Sequence, residues 1–72
     1  MVKTFKIEDL ECAHCAAKMQ DAIQKIDGVH SATVSFLAEK ITVDIDDDKA
    51  EGLGEILNSI CKKIEPDCNV IY

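Results

Sequence analysis

The chemistry of this sequence is concentrated in Cys12-Ala13-His14-Cys15. Two thiols separated by two residues can converge on one ion or on each other. Soft sulfur donors select Zn(II), Cd(II), Pb(II), Hg(II) or Cu(I) over hard ions such as magnesium or calcium. The pair alone fits three chemistries: half of a closed four-cysteine zinc site, a dithiol redox centre, or an open two-thiolate site for a travelling ion. A closed zinc site needs a second pair at matching spacing. Cys61 and Cys68 stand seven residues apart, in a helical and a strand pattern, and do not supply one. They read as buried small residues, the usual fate of a free cysteine. His14, between the two thiols, reads as a solvent-facing side chain. His30 reads as a surface residue, and Met19 as core.

The elements that must position this pair follow from hydrophobic periodicity. Around residues 3–7, Phe5 and Ile7 alternate with Lys6 and Glu8, a strand pattern. A polar loop over residues 8–12 follows, with Leu10 as an expected packing anchor. From Ala13 the period changes: Ala16, Met19, Ile23 and Ile26 form one stripe of an amphipathic helix. Lys18, Gln20, Asp21, Gln24 and Lys25 make its solvated face, and Gly28 is expected at the left-handed C′ position. Ala32, Val34 and Phe36 then alternate with polar residues, as do Ile41, Val43 and Ile45, so a hairpin turns at residues 37–40. Asp48 and Glu51 have the spacing of a capping box. Behind them Leu53, Ile56, Leu57, Ile60 and Ile64 predict a second helix, weakened by Gly52 and Gly54 and stopped at Glu65-Pro66-Asp67. The run of four aspartates between residues 44 and 48 lacks calcium-loop spacing and reads as a strand end with a helix cap. Cys68, Val70 and Tyr72 predict a short last strand.

The order βαββαβ predicts an α+β, two-layer sandwich of the ferredoxin-like kind. A four-stranded antiparallel sheet carries both helices on one face. The first helix then opens directly after Cys12. Free N–H groups and the positive end of the helix dipole at that point favour anionic sulfur.

Length and composition narrow the function. A chain of 72 residues is read as a single domain, 1–72, with no room for a deep pocket around a drug-sized substrate. Net charge is −6 and aromatic residues make up 4%, so neither phosphate attraction nor base stacking is available and nucleic acid is excluded as a partner. No run of about 18 apolar residues is present, so direct membrane insertion is not expected. Nothing reads as a signal peptide, and the default compartment is the cytosol, where thiols stay reduced.

Residues 10–16, Leu-Glu-Cys-Ala-His-Cys-Ala, resemble the G-M-x-C-x-x-C signature of heavy-metal-associated (HMA) domains. The likeness extends to residues 26–29 and 38–43 and to the βαββαβ order. It implies that Cys12 and Cys15 bind a metal in an exposed loop and hand it on. This chain departs from the copper members at Asp9-Leu10, at Glu11 and at Glu65-Pro66-Asp67. An acidic residue directly before the first cysteine resembles the zinc/cadmium/lead-exporting P-type ATPase branch, where that carboxylate serves as a third ligand. Zn(II) prefers four ligands and accepts carboxylate oxygen, whereas Cu(I) is content with two thiolates.

The expected site is therefore Cys12, Cys15 and Glu11. The expected cargo is Zn(II) or Cd(II), with Pb(II) possible and Cu(I) delivery the alternative. The expected role is that of a monomeric, non-catalytic cytosolic domain. It would deliver or sense the ion for the transmembrane metal-transport domains of the same or a partner ATPase, which would sit in the plasma membrane. A thiol-disulfide oxidoreductase is a third reading. The strand order is wrong for glutaredoxin-like enzymes, and no proline or aromatic residue stands inside the motif.

Overall fold

A computed structural model describes residues 1–10 and 12–72. Glu11 lies outside the described residues. The elements run β1 (Val2–Glu8), α1 (Ala13–Gln24), β2 (Val29–Ser35), β3 (Lys40–Ile45), α2 (Leu53–Ile64) and β4 (Asn69–Ile71), with a short 3₁₀ turn at Asp47–Lys49. The four strands form one antiparallel sheet in the order β2-β3-β1-β4. This is the expected ferredoxin-like βαββαβ fold.

Register explains why one sheet face is apolar. Phe5 stands opposite Ile41, which stands opposite Val34; Val43 stands opposite Ala32, and Ile7 opposite Val70. Directly paired residues share a face, so these side chains form one apolar layer. Thr4, Lys6, Thr33 and Thr42 are left exposed on the other face. Ala16, Met19 and Ile23 from α1 and Leu53, Leu57 and Cys61 from α2 join the apolar layer in a single buried cluster.

Each helix also supplies an amide side chain to an outer strand. On β2, Val34 N–H donates to Gln20 Oε1 at 3.0 Å, and Ala32 C=O accepts from Gln24 Nε2 at 3.1 Å. On β4, Val70 N–H donates to Asn58 Oδ1 at 3.0 Å. Edge strands otherwise present unpaired backbone groups that invite another chain. Gln20 and Gln24, read as mere solvated-face residues, therefore have a structural task.

Other details correct the sequence reading. The first helix is capped at Lys25, so Gly28, at φ +90°, lies beyond its C′ position and serves the turn into β2. There is no capping box: Asp48 sits inside the 3₁₀ turn, and the residue that opens α2 is Gly52, in the left-handed conformation at φ 75° with no side-chain cap. The buried line of α2 is Leu53, Leu57 and Cys61, with Gly54 alongside, while Ile56 is 41% exposed. Gly54 does more than weaken the first turn, because a Cβ there would meet Tyr72 Cβ at 2.4 Å. Tyr72 itself is exposed, outside the buried alternation of Cys68 and Val70. His30 is exposed, as read, and its Nε2 pairs with Asp46 Oδ1 at 2.6 Å.

Candidate metal centre

The loop from β1 to α1 is held from below and from the side. Leu10 is 4% exposed and anchors the loop in the core, the role expected of it. Asp9 just before it is left-handed at φ 62°, a conformation that aspartate tolerates better than most residues. The β2–β3 turn reaches the same end of the molecule, since Ile7 N–H donates to Glu39 C=O at 2.9 Å. The α2–β4 connection arrives there too, because Glu8 pairs with Asn69.

Cys12 occupies the N-cap position of α1, in extended conformation at φ −128° and ψ 113°. Its C=O accepts from Ala16 N–H at 3.1 Å, the first turn of the helix. Its Sγ accepts from Cys15 N–H at 3.2 Å. An N-cap side chain usually offers oxygen to one of the free N–H groups of the first turn; here sulfur does so. Cys15, in the same turn, packs partly against the core. Both thiols are free and half-exposed. The spacing thus places both sulfurs at one helix mouth, as expected.

The two thiols are not equivalent. Cys12 titrates below the usual thiol range: the Cys15 thiol hydrogen-bonds its sulfur, and the Cys15 and His14 backbone N–H groups add to that. Partial desolvation and the Glu65 carboxylate oppose the shift. Cys15 is pushed up, first by its hydrogen bond to Cys12, then by desolvation and by repulsion from Cys12 and Glu65, with Lys18 acting the other way. Cys12 therefore loses its proton first. A soft cation would therefore displace the Cys12 proton more readily than the Cys15 proton.

Two further residues bear on this site. The His14 side chain is exposed, and its backbone rather than its ring is what acts on Cys12. Glu65 was read only as part of a helix stop. It is the C-cap of α2, and its charge acts on both thiols. The signal that could have found it was topological: in a βαββαβ fold the α2–β4 connection returns beside the β1–α1 loop. Among the described residues, which exclude Glu11, no group of three or more His, Cys, Asp or Glu side chains converges to hold a metal. The arrangement offers two sulfur donors from one turn, open to solvent. Such a site can accept a soft ion and release it to an incoming ligand.

The chain is similar to several known proteins. The copper chaperone CopZ of Staphylococcus saprophyticus is 40% identical over 47 residues, which are 65% of this chain and 69% of that one. The zinc/cadmium/lead-transporting P-type ATPase of Escherichia coli is 38% identical over 45 residues, 62% of this chain but only 6% of the pump. Among solved structures, a CopZ metallochaperone superposes with a TM-score of 0.77 at 24% identity, covering 99% of this chain and 100% of that one. The N-terminal domain of a potential copper-translocating P-type ATPase from Bacillus subtilis, in its Cu(I)-loaded state, superposes at 0.75 with 29% identity, covering 96% and 81%. The family model of the heavy-metal-associated domain matches residues 4–66, and to that family this chain belongs.

Proposed function

We propose that the chain is a Cu(I) carrier that holds one ion between Cys12 and Cys15 and passes it by ligand exchange to a thiolate-bearing partner. The observation that supports this most is the donor set: two sulfurs in one helical turn, one of them with its pKa lowered by the Cys15 thiol and backbone N–H. Cu(I) is satisfied by two thiolates, whereas Zn(II) prefers four ligands. The likeness to CopZ, which extends over most of that chaperone's length, supports the same cargo.

Transfer needs no catalyst. A partner thiolate enters beside the bound ion, a three-coordinate state forms, and one of the two donor sulfurs leaves. Cys15 is the better leaving donor, because its higher pKa makes it the readier to take back a proton. The partner would be the metal-transport machinery of a P-type ATPase, met in the cytosol. A basic docking surface on that partner would suit the −6 charge of this chain.

A second reading, Zn(II) or Cd(II) with Glu11 as third ligand and Pb(II) as a further candidate, is favoured by one specific observation. A carboxylate residue directly precedes Cys12, in a chain that is also similar to a zinc/cadmium/lead-transporting ATPase. A competition titration with Cu(I) and Zn(II) both buffered separates the two. Preferential loading with Cu(I), unchanged in Glu11→Ala, supports the carrier reading. Zn(II) loading that Glu11→Ala abolishes overturns it in favour of the second.

A further inference from the structure

We propose that Met19, Cys61 and Cys68 form a second soft-metal site, buried between the two helices and β4, which takes one Cu(I) ion. The three side chains come from α1, from α2 and from the start of the last strand, and they are 1%, 1% and 0% exposed. Cys61 Sγ lies 3.6 Å from Met19 Sδ, and the Cys68 thiol is near enough to help raise the Cys61 pKa. Among the described residues the Cys61 thiol meets no nitrogen or oxygen acceptor, only Met19 sulfur and the apolar core. A thioether is a poor acceptor for a proton and a good donor to Cu(I).

The backbone fixes this meeting. Glu65 N–H donates to Cys61 C=O at 2.8 Å, Cys68 N–H donates to Glu65 C=O at 3.1 Å, and Lys62 Nζ reaches Cys68 C=O at 3.3 Å. The chain is thereby folded back so that Cys68 returns onto Cys61.

Dimensions and charge both suit a monovalent ion. Three sulfurs around a metal at about 2.3 Å stand about 4 Å apart. The Cys61–Met19 separation of 3.6 Å needs to open by only a few tenths of an ångström. The ion enters as Cu(I), the Cys61 proton leaves to solvent, and no electron moves. One positive charge replaces another, so the core stays as neutral as before, with the Met19 thioether as second donor and Cys68, which keeps its proton, as a weaker third contact. A divalent ion would need a second proton to leave, or would leave a charge in an apolar core, which is costly. Access runs along α1. Met19 follows Cys15 by four residues, one turn or about 6 Å deeper on the same face. Because all three sulfurs are buried, entry requires local opening of the α2–β4 end, and the site fills slowly.

This inference does not depend on the role given to Cys12 and Cys15, and the test keeps the two apart. The protein is titrated with Cu(I) held by bicinchoninate, without oxygen and with a phosphine reductant, while the Met19 ε-methyl signal is followed by ¹H–¹³C NMR. The parent is expected to take a fast equivalent and then a slow one, with the methyl shifting only in the slow phase. The Cys12→Ser/Cys15→Ser protein is expected to keep the slow equivalent alone. On that background Met19→Leu, a volume-conserving change, is expected to weaken it by about tenfold or more, with the fold intact by circular dichroism. A doubly serine-substituted protein that takes no Cu(I), or takes it with the Met19 methyl unmoved, overturns the buried site. Retention of the fast equivalent by that protein would instead overturn the function proposed for the exposed pair.

Discussion

Cys12 and Cys15 stand half-exposed where α1 begins; Cys61 and Cys68 are sealed between α2 and β4. The side chains are identical, so the surroundings alone separate the two pairs. At the helix mouth the Cys15 thiol, helped by the Cys15 and His14 backbone N–H groups, hydrogen-bonds the Cys12 sulfur, and Cys12 sits below the usual thiol range. In the core desolvation leads, with the hydrogen bond to Cys68 adding to it, and the Cys61 thiol is pushed well above that range. Burial therefore decides how readily a cysteine of this fold gives up its proton. On the two proposals above, the same contrast would give the outer pair rapid exchange and let the inner triad fill only through local opening.

The largest expected effect breaks the outer pair. Cys12→Ser or Cys15→Ser should weaken Cu(I) binding at the fast site by more than the roughly 100-fold upper range seen when outer-shell partners of metal ligands are removed. Competition with a chelator of known affinity measures it. The melting temperature should hardly change, because neither side chain is part of the fully buried core. Retained affinity in both single variants would remove the site.

The inner pair should respond the opposite way. Cys61→Ser places a hydroxyl where the neighbours are sulfur and carbon, which costs about 1–3 kcal/mol. At about 4–8 °C per kcal/mol for a domain of this size, the melting temperature falls visibly. The fast equivalent of Cu(I) should bind as in the parent. A thermal loss in Cys12→Ser as large as that in Cys61→Ser would erase the distinction between the pairs.

Much of this contrast was legible before any coordinates. Alternation in β1, β2 and β3 is clean because one sheet face is buried and the other exposed, so period two is written directly into residue type. The Cys-x-x-Cys pair was equally plain, since a strand pattern, a polar loop and a helical stripe bracket it. The second helix was read less well. Counting aliphatic residues centred its buried line too near Ile56 and Ile60, whereas the line runs through Leu53, Leu57 and Cys61. A glycine and a cysteine carry part of that face, and neither weighs much in a hydrophobic pattern. The glutamines that satisfy β2 look like ordinary surface residues, because their partners lie 8 and 14 residues away in sequence. Glu65 was missed at the site for the same reason: only the closed topology brings α2's end beside the first loop.

A finer test concerns the order within the outer pair. Cys12 should be alkylated by iodoacetamide before Cys15, and at pH values below those where an ordinary thiol reacts, with mass spectrometry locating the label. In Cys12→Ala the thiol–thiol hydrogen bond is gone. Cys15 should then react at lower pH than in the parent, because that bond is the first cause of its raised pKa. The stability signs follow. Cys12, depressed on folding, adds stability above the unfolded thiol pKa and loses it as pH falls through the folded value. Cys15, raised, adds stability below the unfolded pKa and loses it as pH rises through its folded value. The two contributions oppose, so single alanine variants should bend the stability–pH curve in opposite directions on the alkaline side.

The smallest effect comes from a charge that acts on both regions. Glu65 caps α2 and raises Cys12, Cys15 and Cys61 alike. Glu65→Gln removes that repulsion and keeps the shape of the side chain. Alkylation of Cys12 and Cys15 at fixed pH should quicken, but by no more than about threefold, the scale of one solvent-screened charge acting over roughly a Debye length. Added salt should shrink the gain further. Cys61 should stay unreactive, because desolvation, which leads the causes of its shift, is untouched. An acceleration at Cys61 matching that at Cys12 would mean that charge rather than burial keeps the inner thiol silent, and the two pairs would then differ in degree instead of in kind.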